Sequence, residues 1–237
     1  HGSGWKNKPG DNIMKGISYD DSTGNHITTA QLSLVTADIK KALGRNLDIF
    51  AFDACLMQMV EVAYAMKGDI DYLVASEETE PGAGYPYDGI LATLKKDMTP
   101  AEFCKAWVAA YTASYNNGSQ GYSASTQSAL DMSKFDASID AINGFAKASI
   151  AGSFGAQFKD ALAKVQKFYY RTNIDLPHLV ALLKNTIKDE AFLTAANKLE
   201  AALADVVLAN GTNGATMKNA KGLAVFFPTS SYSFSKD

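Results

Sequence analysis

Cys55 is the residue of this sequence whose surroundings best suit covalent chemistry. The strongly apolar run 47–52 precedes it and the pattern at 56–61 is helical, so we predict that the sulfur lies where a buried strand meets a helix N-terminus. Backbone N–H groups and the helix dipole at such a junction favour the thiolate, which is the form that attacks carbonyl carbons. The alternative is a small buried hydrophobe without a chemical role.

A histidine is the natural partner of such a thiol, and the sequence contains three. Imidazole has an ordinary pKa of about 6.5, so it can donate a proton to a leaving amine and then activate water. His1 precedes Gly2 at the start of the sequence, where the first four residues could equally be a tag remnant. His26 follows a polar run typical of a turn, and His178 lies in a helical region, so both are predicted at the surface.

Several short stretches occur together in a fixed order, at 1–5, 17–21, 52–59, 75–78, 81–82 and 85–87. In order and spacing they resemble the clostripain family of cysteine peptidases, whose catalytic domain belongs to the caspase and gingipain clan. A later stretch at 222–228 is similar as well. The resemblance implies a caspase-like α/β fold and hydrolysis of peptide bonds.

The resemblance also implies a role for individual residues. Cys55 would be the nucleophile that forms an acyl-enzyme, and His1 the acid and base. The backbone N–H groups of Gly2 and Cys55 would form the oxyanion hole, a place that suits glycine because it lets the backbone approach the substrate. Asp53 would lie at the floor of the pocket for the residue before the scissile bond, where a substrate Arg or Lys supplies the cation that a buried carboxylate needs.

The acidic residues near the thiol allow more than one interpretation. Asp53 stands two residues before Cys55, and positions two apart on a strand face the same side, so the carboxylate and the thiol are predicted to share a cleft. The alternative for Asp53 is the N-cap of the following helix. Ser76, Glu77 and Glu78 follow the next predicted strand and are predicted to bind substrate, the glutamates by adding negative potential. The alternative for both glutamates is a solvated position at a strand end.

Composition excludes several classes of protein. The 237 residues are 47% hydrophobic, which is enough for a sizeable core. The net charge is −3, and Lys and Arg are scattered, so a nucleic-acid partner is not expected. No apolar stretch reaches the roughly 18 residues that a membrane span needs. Two cysteines are too few for a disulfide framework.

The sequence predicts no cofactor. Histidine and cysteine do not cluster at zinc-ligand spacing. The polar run 20–25 superficially suggests a calcium loop but misses the EF-hand ligand spacing and its terminal Glu. Clostripain itself is calcium-dependent, so the resemblance keeps calcium open as an ion that this protein uses.

Strand-like and helix-like segments alternate along the chain, which predicts a mostly parallel sheet with helices on both faces. We expect N-caps at Asp88 and Thr99. The predicted strands are 16–19, 47–53, 72–77, 122–131 and 222–228, and the predicted helices of the first half are 29–43, 56–67, 88–96 and 100–115.

Three parts are predicted from this pattern. Residues 1–133 form the catalytic core, 134–213 a helical insertion or subdomain, and 214–237 the last strand of the core sheet with a tail. The insertion contains three or four helices and no convincing strand over 134–210, and the segment 211–214 ends it with turn chemistry. In the family that the sequence resembles, more strands lie upstream of the histidine, so an upstream fragment of the same protein is expected as a partner. The resemblance implies secretion or the cell envelope.

The favoured function is an endopeptidase that cleaves polypeptides after Arg or Lys through a Cys-His dyad. The other interpretation is a non-catalytic peptide-binding or scaffold domain on the same fold. Residues 6–15 have the composition of an exposed, cleavable loop. Because clostripain-like enzymes mature by cleavage between the His and Cys segments, self-cleavage is expected at the bond between Lys15 and Gly16.

Overall fold

The computed structural model of the protein describes residues 16–229. Its strands are β1 (Gly16–Asp20), β2 (Asn25–Thr28), β3 (Leu47–Ala51), β4 (Ile70–Ala75), β5 (Asn116–Gly118), β6 (Gly121–Tyr122), β7 (Ser125–Asp131), β8 (Asn173–Asp175), β9 (Val207–Asn213) and β10 (Ala224–Phe226). Its α-helices are α1 (Thr29–Leu43), α2 (Val60–Ala65), α3 (Tyr87–Leu91), α4 (Pro100–Ser114), α5 (Phe135–Ala151), α6 (Gly155–Lys164), α7 (Leu176–Thr186) and α8 (Glu190–Val206).

A four-stranded sheet of order β3-β4-β7-β9 forms the centre of the fold, with helices on both faces. Leu73 and Leu130 are paired across β4 and β7 and point into the main core, whereas the next pair, Val74 and Ala129, packs against α4. This alternation buries both faces of the sheet. The predicted α/β class with flanking helices is therefore confirmed.

The described part of this sheet is mixed rather than mostly parallel as predicted. β3 and β4 are parallel, but β7 is antiparallel to both of its neighbours, β4 and β9. Ala75 at the end of β4 pairs with Ser128 in the middle of β7, so the chain enters β7 at the end of the sheet where it left β4. Two helices, α3 and α4, lie between these strands, and the second brings the chain back to that end.

The segment 134–213 contains four helices, α5 to α8, which agrees with the prediction of three or four. The expectation that it lacks strands is wrong. β9 occupies the edge of the central sheet and pairs with β7 from Asn213 at one end to Val207 at the other. Gly211 belongs to this strand and not to a turn. A Cβ atom at Gly211 would lie 2.0 Å from the Thr112 hydroxyl, so glycine is needed there for close packing against α4.

The predicted last strand exists but does not join the central sheet. β10 pairs antiparallel with β8 in a separate two-stranded sheet, in which Val225 lies opposite Ile174. The reason is that β9 already occupies the place beside β7. The division of the chain at 133 and 213 remains a prediction.

The predicted ranges of α1 and α4 are confirmed, and so is the predicted N-cap of α4. Thr99 caps α4, its hydroxyl accepting the Glu102 N–H at 3.3 Å, while the Glu102 carboxylate accepts the Thr99 N–H at 2.8 Å. The prediction for Asp88 is wrong, because it lies inside the short helix α3, which follows Pro86. The helix predicted over 88–96 thus shrinks to five residues.

The helix predicted over 56–67 begins only at Val60. Leu56 has a φ of +61°, and its N–H donates to the Glu78 carbonyl at 3.1 Å. The Gln58 N–H donates to Ser76 at 3.0 Å, and its carbonyl accepts the Ala224 N–H at 3.0 Å. Because these backbone groups are bonded to neighbouring segments, they are not available for a helix.

Buried apolar side chains form the core on both faces of the central sheet. Met57 and Met59 are fully buried in the main core. Phe103, Trp107 and Tyr111 of α4 pack together with Tyr85 in a second cluster rich in aromatic rings. Within residues 16–229, no helix is both long and apolar enough to cross a membrane.

Candidate active site

Cys55 lies in an extended loop after β3, held against the segment that follows β4. The Phe52 N–H donates to the Val74 carbonyl at 2.9 Å. Past the thiol, Leu56 bonds Glu78 and Gln58 bonds Ser76, so the loop turns back along the neighbouring segment. Cys55 itself is half-buried. The loop therefore presents the sulfur at the carboxyl end of the two parallel strands, where α/β proteins place their sites.

The environment of the thiol differs from the predicted one. The nearest helix, α2, has six residues and begins five positions later, so Cys55 does not stand at a helix N-terminus. Burial raises the pKa of Cys55 above 9.0, and the nearby Glu80 carboxyl raises it further, while the Glu80 N–H opposes this by donating to Sγ at 3.3 Å. The described surroundings thus favour the thiol, and a thiolate requires a cation beside it.

The two histidines that the structure describes have other partners. His26 lies in β2, half-buried and stacked on Tyr19 at 5.1 Å, and not in a turn as predicted. His178 is half-buried near the start of α7, where its Nδ1 accepts the Gln166 N–H at 2.9 Å, and not a surface residue. His1, Gly2 and Lys15 lie outside the described residues. Gly16 is the first described residue and begins β1.

Asp53 is half-buried beside the loop that follows Glu80. Its Oδ2 accepts the Tyr85 N–H at 3.2 Å and the Tyr87 hydroxyl at 2.8 Å. Gly84, with a φ of +64°, lies against the carboxylate, and a Cβ there would be 2.9 Å from Oδ2. The alternative of a helix N-cap is wrong for Asp53, because no helix begins next to it.

Glu80 is the residue of this site that the sequence did not identify. Its Oε2 accepts the Tyr111 hydroxyl, and its Oε1 is buried with no hydrogen-bond partner in the part of the chain that the structure describes. Burial raises the pKa of Glu80 well above 4.5, and the carboxylate of Asp53 adds to this shift. Only the acidic run from 77 to 80 hinted at it, and that run gives no sign of which glutamate enters the site.

Ser76 and Glu78 hold the loop in place and do not line an open pocket around Cys55. Ser76 is fully buried, and its hydroxyl lies 2.8 Å from the Thr126 hydroxyl, which also accepts the N–H groups of Glu77 and Glu78. The Oε1 of Glu78 accepts the Thr79 N–H at 2.7 Å and the Tyr169 N–H at 3.2 Å. The predicted role in the pocket beside Asp53 is therefore not supported for these two residues.

The prediction for Glu77 is also wrong. Its side chain is fully buried under β8 and β10, so it adds no negative potential to an open pocket. Its Oε2 accepts the Gly222 N–H at 3.0 Å, and its carboxyl group lies against Asp175. Asp175 in turn accepts the N–H groups of His178 and Lys221. Burial raises the pKa of Glu77 well above 4.5 and that of Asp175 from 3.8 to about 6, and the neighbouring Asp175 carboxyl further opposes the ionisation of Glu77.

The turn at 20–25 is closed by its own side chains. The carboxylate of Asp20 accepts the hydroxyls of Ser22 and Thr23, both at 2.6 Å, and these bonds lower its pKa to about 2. Within residues 16–229, His, Cys, Asp and Glu form no group of three or more that could hold a metal ion. Calcium dependence remains a prediction.

Comparison with known proteins identifies relatives of the whole chain. The family model described as "Clostripain family" matches residues 1–235. Clostripain of Hathewaya histolytica is 34% identical over 102 residues, which cover 40% of this chain and 19% of that protein. The match therefore spans about a fifth of the length of that relative.

Two solved structures share the fold. A secreted C11 cysteine protease from Bacteroides thetaiotaomicron, in complex with an irreversible peptide inhibitor, is 19% identical with a TM-score of 0.68, covering 98% of this chain and 66% of that one. A clostripain from the same species, in complex with the peptide inhibitor BTN-VLTK-AOMK, is 17% identical with a TM-score of 0.63, covering 88% of each chain.

The buried pair of Glu77 and Asp175 makes stability depend on pH. Both pKa values are higher in the folded than in the unfolded chain, so the folded state binds more protons, and stability falls as pH rises from about 4 through 6 and above. Glu77→Gln keeps a donor toward Asp175 and an acceptor for Gly222 but does not titrate. We expect the melting temperature of this variant to fall less between about pH 5 and pH 8 than that of the unmodified protein.

Thermal unfolding followed by circular dichroism at a series of pH values measures the effect. Asp88→Asn, at an exposed carboxylate in α3, is the control and should parallel the unmodified protein. A Glu77→Gln curve that also runs parallel would contradict the raised pKa of Glu77.

Proposed function

Because the chain belongs to the clostripain family, we propose that it is a cysteine endopeptidase that cleaves polypeptides after Arg or Lys, with Cys55 as nucleophile. The observation that carries this proposal is the pair of carboxyl groups next to the thiol, those of Asp53 and Glu80, which we propose as the binding place of a basic side chain and call the acidic pocket. Asp53 lies two residues from Cys55, and Glu80 bonds Sγ through its backbone while its carboxyl group neighbours Asp53. Neither carboxylate has an ion-pair partner within residues 16–229.

The acidic pocket supports basic specificity on electrostatic grounds. Two neighbouring carboxyl groups with partial burial raise the free energy of each other's charged form, and a cation between them removes that cost. The Lys or Arg side chain of a substrate supplies such a cation, and an arginine can bond both carboxylates. The hydroxyls of Tyr87 and Tyr111 orient the two carboxylates. The peptide inhibitor bound to the B. thetaiotaomicron clostripain contains the sequence VLTK, which ends in lysine.

His1 is the proposed acid and base. The raised pKa of Cys55 makes a cationic partner necessary, because the described surroundings alone keep the sulfur protonated. An imidazolium next to Sγ stabilises the thiolate. Since His26 and His178 have other partners, His1 is the remaining histidine of the chain.

The reaction follows from these roles. Sγ of Cys55 attacks the carbonyl carbon, and the N–H groups of Gly2 and Cys55 bind the negative oxygen. The C–N bond breaks as His1 gives its proton to the leaving amine. His1 then takes a proton from water, which hydrolyses the acyl-enzyme and frees the thiol.

Processing and location are further parts of the proposal. Cleavage after Lys15 would release a new N-terminus at Gly16, the residue with which β1 begins. The upstream fragment stays with the catalytic part as its partner. Secretion or the cell envelope is proposed as the location, in line with the secreted B. thetaiotaomicron relative.

The dyad is tested with single variants of the full-length protein. Cys55→Ala and His1→Ala should each abolish hydrolysis of peptides with Arg before the scissile bond, because each removes a reacting group. Cys104→Ala is the matched control and should stay active, since Cys104 is fully buried between α4 and the central sheet and burial raises its pKa to about 12. Activity that survives Cys55→Ala would contradict the assignment, and peptide binding without any turnover would support the scaffold alternative.

Basic specificity is tested at Asp53. Asp53→Asn keeps the shape of the side chain but removes its charge, and losing one member of a buried charge pair costs about 2–5 kcal/mol. The kcat/KM for Arg and Lys peptides should fall accordingly, whereas Asp88→Asn on α3 should leave it unchanged. Equal rates for Arg and uncharged residues in the unmodified enzyme would show that the pocket does not select basic side chains.

Self-cleavage is tested by N-terminal sequencing of incubated protein. The unmodified chain should yield a new terminus at Gly16, and the Cys55→Ala protein should stay intact because it lacks the nucleophile. A Lys15→Ala variant that is never cut and yet shows full activity would prove that this processing is not required.

A further inference from the structure

A second cleft, of opposite charge, lies beside the acidic pocket. It has a volume of about 490 Å³ and is formed by residues that follow α6 together with the 3₁₀ turn at Ala215–Met217 and one wall from the loop after β4. We call it the basic cleft, and its charged lining residues are Glu78, Lys164, Lys167 and Arg171.

The basic cleft is joined directly to the loop of the nucleophile. Glu78 forms part of its wall, and the carbonyl of Glu78 accepts the N–H of Leu56, the residue that follows Cys55, at 3.1 Å. Two residues further on, the Glu80 N–H reaches Sγ. The cleft therefore begins within a few residues of the scissile bond of any substrate bound at Cys55.

Its charge is positive in a protein whose net charge is −3. Three cations, Lys164, Lys167 and Arg171, face one carboxylate, that of Glu78. In the part of the chain that the structure describes, ion pairs are formed by other basic residues, and none involves these three: the pairs are Lys40–Asp69, Arg45–Asp48, Lys67–Asp136 and Lys184–Glu200.

The polar side chains beside the three cations already form hydrogen bonds within the protein. Glu78 Oε1 accepts two backbone N–H groups, and the Gln166 side chain donates to the carbonyls of Lys167 and Thr216 at 3.1 and 2.9 Å. Tyr169 lies at the rim, 65% exposed. A ligand that enters this cleft thus meets cations that lack a carboxylate partner among the described residues, beside an exposed aromatic ring.

We propose that the basic cleft is a second specificity subsite, which binds an Asp or Glu side chain of the polypeptide substrate near the scissile bond. The inference rests on the proposed peptidase function and extends it. A substrate would then be selected by two opposite charges, a cation in the acidic pocket and a carboxylate in the basic cleft. The cleft is open to solvent, so the preference should be modest and sensitive to ionic strength.

The test compares matched peptides with Lys before the scissile bond and Glu or Gln at one flanking position, scanned over three positions on each side. At one of them kcat/KM should be about threefold to tenfold higher for Glu than for Gln, and high salt should reduce the ratio toward one. In the Lys167→Gln, Arg171→Gln double variant the ratio should fall to about one. The Lys95→Gln, Lys96→Gln double variant, at exposed lysines before α4, is the matched control and should keep the preference.

Equal kcat/KM values for Glu and Gln at every position would overturn the subsite while leaving the peptidase in place. If none of the peptides is cleaved, the proposed function fails, and binding of the same fluorescently labelled peptides to the Cys55→Ala protein decides the subsite. Tighter binding of a Glu peptide that disappears in the Lys167→Gln, Arg171→Gln background supports it, and equal binding of both peptides refutes it.

Discussion

The candidate site depends on one set of backbone hydrogen bonds, those that tie the loop 52–58 to the loop 74–80. Phe52 bonds Val74 just beyond the parallel strands β3 and β4, whereas Leu56 bonds Glu78 and Gln58 bonds Ser76 in the reverse order, so the first loop turns back beside the second. The buried hydroxyls of Ser76 and Thr126 fix the second loop. Because these bonds are made by the backbone, the two loops hold the thiol, Asp53 and Glu80 close together.

Two pairs of buried or half-buried carboxyl groups lie close to these loops, and the two pairs differ in their hydrogen-bond partners. Glu77 and Asp175 lie against each other and accept backbone N–H groups, which makes them a structural link between the central sheet and the β8–β10 sheet. Asp53 and Glu80 accept tyrosine hydroxyls but have no cation among the described residues. Satisfied carboxyls stabilise a fold, whereas carboxyls oriented without a counter-ion are suited to bind one.

The thiol illustrates why a site needs parts from different segments. Burial and the neighbouring Glu80 both raise the pKa of Cys55, so the acidic pocket that suits a basic substrate opposes formation of the nucleophile. An imidazolium from another segment, or the cation of the substrate itself, offsets this effect. The same field that selects the substrate thus makes the reaction dependent on a correctly placed histidine.

Much of the local structure was determined by the sequence alone. The thiol after an apolar strand, the capping chemistry at Thr99 and the ranges of α1 and α4 were all predictable, because they depend on residues close together in the chain. The resemblance to the clostripain family added the fold. Tertiary structure decided what depends on distant partners: Glu80 rather than Glu77 or Glu78 enters the site, and β9 rather than β10 completes the central sheet. The helix dipole expected at Cys55 disappeared for the same reason, since Ser76, Glu78 and Ala224 take the hydrogen bonds that a helix over 56–59 would need. Hydrogen bonds and burial between segments far apart in sequence leave no periodic pattern in either segment, and therefore only the folded chain could show them.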